Sequence, residues 1–154
     1  MKRFLLIGLI LLISILLILG RFLLPKKKGE KVVKSFSEIK VEIINCSGVY
    51  EIGKEVMEDL RRRGFNVYDV LFDPDTLAKT VVVERSDEQM TNALILAKSI
   101  AKRKKVGILP REEVLFPELR KEIDNNLLID VSLILGKDFP TFFPNIPSGQ
   151  EMGD

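Results

Sequence analysis

The chain has no histidine and a single cysteine among its 154 residues. Without an imidazole neither a Ser-His-Asp nor a Cys-His nucleophile can be assembled, and His-based metal sites are excluded as well. One thiol cannot close an internal disulfide, and a chain of this length does not need one to build a core. No G-x-G-x-x-G or G-x-x-x-x-G-K-[ST] run offers a phosphate cradle. No D-x-D-x-D-G run offers a calcium loop, and Asp73, Asp75, Asp87, Glu112, Glu113, Asp124 and Asp130 read as a solvated surface. No cofactor and no metal are implied, and a catalytic function loses its simplest routes.

What the chain does have is one long apolar run. Phe4 to Leu24, FLLIGLILLISILLILGRFLL, is interrupted only by Ser14, two glycines and Arg21. At ~1.5 Å rise per residue it spans a hydrocarbon core of roughly 30 Å. A cleaved signal peptide would have a shorter apolar region and small residues before the cut. LLILGRFLLPKKKG offers no such site and no lipid-attachable cysteine, so residues 1–24 are expected to be an uncleaved transmembrane anchor.

The formal charge of +2 hides an asymmetry. Up to Lys34, eight Lys or Arg face Glu30 alone, whereas from Ser35 onward 16 basic residues face 21 acidic ones. The folded part is therefore mildly acidic, which argues against nucleic acid as a partner. Lys26, Lys27 and Lys28 cluster beside the anchor, where they can touch anionic lipid. Lys2 and Arg3 precede the span, whereas Arg21 stands near its end and five lysines follow it up to Lys34. A literal count of positive charge thus places the domain in the cytoplasm.

Residues 25–37 read as a Lys-rich juxtamembrane linker. Ile39, Val41 and Ile43 alternate with Lys40 and Glu42 as in a half-buried strand. Asn45-Cys46-Ser47-Gly48 is a turn, and from Val49 the apolar spacing of Ile52, Val56 and Leu60 marks an amphipathic helix ending at Gly64. FNVYDVLF is a second strand. The three valines of KTVVVER suggest a third strand in the middle of the sheet. A Ser86–Gln89 capping box opens a second helix that is closed by Lys102 to Lys105. A short strand at VGILP, a short helix from Pro117 to about Asn125 and a last strand in LLIDVSLILG complete the domain. Residues 140–154, with their prolines, read as a flexible tail. The expected fold is an α/β sandwich of ferredoxin-like βαββαβ form, with a four-stranded sheet and both helices on one face.

The turn invites three readings. Cys46 near a helix N-terminus could be a reactive thiol, but it lacks a partner base, so a small turn-filling role is preferred. Backbone amides there could hold phosphate, but the simpler account is that Asn45 and Gly48 shape the turn while Ser47 or Gly48 caps the helix. Asn45-Cys46-Ser47 also matches the N-x-[ST] glycosylation pattern, although an asparagine used within a turn is a poor acceptor. Arg61, Arg62 and Arg63 and the Lys102 to Lys105 run end the two helices, where they can form a basic patch or stabilise the helix dipoles.

VEIINCSGVYEIGKEVMEDLRRRGFNV resembles the start of the LytR C-terminal domain family, whose pattern is V-x-V-x-N-G-[ST]-G-V-x-G-L-A followed by a helix and G-F-x-V. Asn45, Ser47, Gly48, Val49, Gly64, Phe65 and Val67 stand at matching positions. LILGKDF resembles the closing L-G-x-D-[YF]. Cys46 and Glu51 stand where that family usually has glycine. The resemblance covers roughly residues 38–139 and implies a non-enzymatic cell-envelope accessory module outside the cytoplasmic membrane. It would contact cell-wall polymer or an envelope protein through Asn45, Ser47, Gly48, Val49 and the Arg61 to Arg63 run. A cytoplasm-facing adaptor that recruits a protein partner is the alternative that the charge count keeps open.

Overall fold

The computed structural model describes residues 34–106 and 111–147. The expected anchor and residues 25–33 of the linker lie outside the described residues. Among those described, no helix is long and apolar enough to cross a membrane.

Strand β1 (Lys40–Asn45) buries alternate residues, Val41, Ile43 and Asn45, as its apolar alternation dictates. Helix α1 (Ile52–Arg62) lays Ile52, Val56 and Leu60 against the sheet. It stops at Gly64, whose φ of 94° is easy only for glycine. Strand β2 (Asn66–Phe72) follows, then β3 (Val81–Glu84), in which every residue is buried. Helix α2 (Thr91–Ile100) buries Ala93, Leu96, Ala97 and Ile100. Four further strands complete the described fold: β4 (Lys102–Val106), β5 (Arg111–Leu115), β6 (Glu118–Lys121) and β7 (Val131–Leu135).

The result is a mixed α/β fold with two helices, but its sheet departs from the ferredoxin-like expectation. Among the described residues it has five strands in the order β2-β1-β7-β3-β6, and a separate hairpin pairs β4 with β5. Within the five-stranded sheet β1 runs parallel to both β2 and β7, β3 runs parallel to β6, and the β3–β7 pair is antiparallel. The crossover through α1 returns the chain beside its starting strand in the same direction, so β1 and β2 are parallel neighbours. Both helices contribute to one core cluster with Val41, Ile43, Val82 and Leu133.

Five local expectations need correction. Lys102 to Lys105 do not close a helix. Ala101 turns to an extended conformation, and the run becomes β4, with Lys104 opposite Glu113 and Lys105 opposite Glu112. Pro117 to Asn125 is not helical either, because the outer edge of β3 recruits β6 as a parallel partner through Glu118 N to Thr80 O at 3.1 Å and Glu122 N to Glu84 O at 3.1 Å. Helix α1 begins at Ile52 and not at Val49, and α2 is capped by carboxylates of Glu84 and Asp87 in place of the Ser86–Gln89 box. The segment expected as a flexible tail starts in the core. Phe142, Phe143 and Ile146 are buried with Phe139, their three-and-four spacing having been obscured by the prolines around them.

Asp130, just before β7, ties the beginning of the domain to the sheet. Its carboxylate accepts Lys34 Nζ at 2.8 Å, Lys40 N at 3.0 Å and Ser86 Oγ at 2.8 Å. Burial alone would raise its pKa, but these hydrogen bonds and the Lys34 charge together hold it below the ordinary carboxylate value. A depressed folded pKa stabilises above the unfolded value, and that stabilisation is lost as pH falls through the folded one. Asp130→Asn is therefore expected to lower stability by about 2 kcal/mol at neutral pH and by much less in strong acid. Urea titrations at the two pH values check this, and an equal loss at both would contradict it.

Candidate functional site

The carboxyl ends of β1 and β2 and the first turn of α1 meet at the turn that carries the signature residues. In open α/β sheets this is the end where ligands bind. The chain leaves β1 at Asn45, whose side chain folds into the turn: Nδ2 donates to Val49 O at 2.8 Å, and Oδ1 accepts Ser47 N at 3.2 Å and Ser47 Oγ at 2.7 Å. Ser47 Oγ in turn accepts Val49 N at 3.1 Å. Asn45 and Ser47 are buried and satisfy each other, so they build the turn and do not face solvent. Gly48 sits at φ 82°, with Thr76 Cγ2 only 3.1 Å from where a Cβ would lie.

Cys46 is buried among these residues. Burial, followed by the nearby charges of Asp73 and Asp75, pushes its thiol above the ordinary value, the opposite of an activated cysteine. Its backbone joins three segments, with N donating to Leu135 O at 3.0 Å and O accepting Leu77 N at 2.9 Å.

Beyond the turn lies a groove of about 160 Å³ between the first turn of α1 and the end of β2. That is too small to enclose a ligand of drug size but suits one ring, or a polymer lying across it. Its walls include Tyr50, Lys54, Leu71 and Phe72, and its floor is Gly53 against Val70. A Cβ on Gly53 would come within 2.7 Å of Val70 Cγ1, so glycine permits this close approach of helix to strand. Tyr50 is 68% exposed and Phe72 51%, and the rings meet edge to face at 5.6 Å. Two adjoining aromatics are thus exposed together at this end of the sheet.

The expected site is thus divided. Asn45, Ser47, Gly48 and Val49 shape the wall behind the groove, whereas Arg61, Arg62 and Arg63 lie at the other end of α1, ~16 Å away over 11 residues. Arg61 donates to Val67 O at 3.0 Å, Arg62 and Arg63 pair with Asp59, and Arg63 also donates to Ser99 O and lies over the Phe143 ring. Arg61, together with Asp69, whose carboxylate accepts Val70 N at 2.8 Å, occupies backbone groups of the outermost strand and blunts that edge against added strands. Tyr50, Phe72 and Lys54 were not among the expected site residues. The missing information was a β-bulge: the register passes from Val41–Val67 to Glu42–Asp69, which places Tyr68 as an extra residue and turns Val70 and Phe72 toward α1.

Residues 38–139 match the family described as LytR cell envelope-related transcriptional attenuator. The chain belongs to this family. The LytR C-terminal domain is a non-catalytic module in its family. Among the described residues no group of three His, Cys, Asp or Glu side chains could hold a metal ion. No curated protein matches the chain. A solved structure, the soluble domain of a conserved hypothetical secreted protein from Mycobacterium marinum, is similar at 24% identity and a TM-score of 0.44. The match covers 67% of this chain and 62% of that one.

The signature of the LytR C-terminal domain now has a physical account. Asn45, Ser47 and Gly48 make the closed turn, Gly64 ends α1, and Phe65 and Val67 are core. Of the two departures, Cys46 has no positive φ and needs no glycine, whereas Glu51 adopts φ 68°, the left-handed conformation that glycine adopts freely. At the closing signature, Gly136 packs on the Lys79 backbone, Asp138 Oδ1 accepts Thr80 N at 2.6 Å, and Phe139 is buried.

Proposed function

We propose that this protein is a membrane-anchored accessory of the cell envelope whose LytR C-terminal domain binds cell-wall glycan through the Tyr50–Phe72 groove. The observation that carries the proposal is the pair of exposed rings, fixed by the signature turn on one side and the bulged strand on the other. Aromatic faces offer large contact area at low entropic cost, and the Tyr50 hydroxyl and Lys54 supply polar contacts at the rim. Membership of a cell-envelope family supports this partner class, and residues 4–24 would hold the domain outside the cytoplasmic membrane.

The test is co-sedimentation of the purified full chain with isolated wall sacculi. Replacing Tyr50 and Phe72 together by alanine is expected to weaken binding by at least about 10-fold, since exposed aromatics at a contact centre carry most of the energy. Unaltered thermal unfolding would show that the fold survives. Wall binding that is insensitive to this double replacement would remove the groove from consideration. The basic residues after the apolar run favour a second reading, a cytoplasm-facing adaptor for a protein partner. Protease treatment of intact cells separates the two: a C-terminal tag shielded until lysis would support the cytoplasmic placement.

A further inference from the structure

The opposite end of the domain, where the chain arrives from the linker, has a different character from the groove. β1, β2 and β7 all begin there and α1 ends there. The chain is fastened at this end by Lys34 Nζ on Asp130 at 2.8 Å and by the Phe36 ring stacked on Phe65 at 4.7 Å. The loop between β6 and β7 projects beside it. Asp124 holds the bend of that loop by accepting Asn126 N at 2.9 Å and Asn126 Nδ2 at 3.1 Å, and Ile129 anchors it in the interior. Between these two fixed points Leu127 and Leu128 point into water, 41% and 73% exposed, and Leu128 is the most exposed large apolar side chain among the described residues. Phe36 is 43% exposed at the same end.

Exposed leucines on a braced loop are unfavourable in water unless something covers them. The chain itself indicates the cover. Only nine residues, 25–33, separate Lys34 from the apolar run, and even fully extended they reach no more than roughly 30 Å. The end bearing Leu127 and Leu128 is the one that the linker enters, and so the one nearest along the chain to the apolar run. Cations surround it: Lys34, Lys40, Arg61, Arg62 and Arg63. Of the carboxylates there, Asp130 and Asp59 are already paired with Lys34, Arg62 and Arg63, and Glu122 and Glu88 with Arg85 and Lys121. Glu38 and Asp124 oppose an anionic surface but are occupied by Ser35 N and Asn126 N.

We infer that this end is a lipid-docking face: Leu127 and Leu128 enter the boundary between headgroups and acyl chains, while Lys40 and Arg61 contact anionic phospholipid headgroups. The domain then stands on the bilayer with its groove turned outward, because Tyr50 follows the far end of β1, ~20 Å away over six residues. The inference rests on residues 4–24 being an anchor.

The experiment uses the full chain reconstituted into phosphatidylcholine vesicles with or without phosphatidylglycerol. An environment-sensitive dye is attached at Leu128→Cys or, in a second preparation, at Tyr50→Cys, the native Cys46 being buried. Nitroxide-labelled lipid is expected to quench the dye at position 128 at least about 3-fold more than the dye at position 50, with the difference larger with phosphatidylglycerol and smaller in high salt. A dye at Asn125→Cys should lose most of its quenching when Leu127 and Leu128 are both replaced by serine. Alkaline carbonate distinguishes the two ways of failing. A chain retained in the vesicles with equal quenching at positions 128 and 50 overturns the docking face and leaves the anchor standing. A chain extracted by carbonate overturns both.

Discussion

Gly136→Ala is expected to destabilise the domain by about 3 kcal/mol or more, a drop of roughly 10 °C or more in midpoint temperature. A Cβ at this position would fall onto the Lys79 carbonyl group, with Lys79 N 2.8 Å away, and backbone cannot rotate aside as a side chain can. The segments that would have to separate are held together on both sides. Gly136 N donates to Thr80 Oγ1 at 3.1 Å, Lys137 N to Leu77 O at 2.8 Å, and Thr80 N to Asp138. Thermal unfolding followed by circular dichroism would measure the loss. Gly64→Ala is the informative comparison, because Gly64 is conformationally special at φ 94° but nothing lies closer to its missing Cβ than Phe36 Cβ at 3.9 Å. It should lose only about 1 kcal/mol, from strain alone. Equal losses at the two glycines would refute the close approach of β7's end to the Lys79 backbone.

Glu84→Ala should be comparably damaging, at about 3 kcal/mol or more. Glu84 is fully buried at the end of β3, and its carboxylate is held by amide donors. Its oxygens accept Ala93 N at 2.8 Å, Asp87 N at 3.0 Å and Asn92 Nδ2 at 3.1 Å, so the carboxylate sits on the amino-terminal turn of α2, where the helix dipole favours negative charge. Removing it leaves buried donors unpaired and opens a cavity as well. Glu84→Gln keeps one acceptor but brings an NH2 group toward amide donors, and about half the loss is expected. Urea unfolding of both variants checks the order. A glutamine variant as stable as the parent would mean that the charge contributes nothing at this helix end.

Among the described residues, the two helix starts differ in this respect. At α2, Glu84 and Asp87 occupy first-turn amides, whereas Glu51 makes no side-chain cap at α1 and the first turn borders the groove. The internal carboxylate makes one end a structural joint, and the other faces a recess lined by aromatics.

Much of this was legible in local chemistry. Alternation in Ile39 to Ile43 identified β1, the spacing of Ile52, Val56 and Leu60 identified α1, and Gly64 marked its end, because these patterns act over one or two turns of chain. The family signature was likewise legible at Asn45 to Val49 and at Gly136 to Phe139, where a few residues hydrogen-bond or pack with near neighbours along the chain or across one strand. The partner of β3 could not be found this way. Helical composition in Pro117 to Asn125 was overridden by an open sheet edge far away in sequence, which offered Thr80 O and Glu84 O as acceptors. Nor could periodicity show that Phe142, Phe143 and Ile146 return to the core, since that depends on a space left between two helices and a sheet.

By itself, then, the sequence determined β1, α1 and its end at Gly64, the absence of histidine chemistry and the family, all of which follow from residue type and short-range spacing. Only the tertiary structure decided that Asn45 and Ser47 are inward-facing braces, that the arginines lie at the other end of α1, and that a bulge at Tyr68 brings Phe72 beside Tyr50. The reason is that a binding surface is made by side chains from separate elements meeting in space. One extra residue in a strand is enough to change which of them meet.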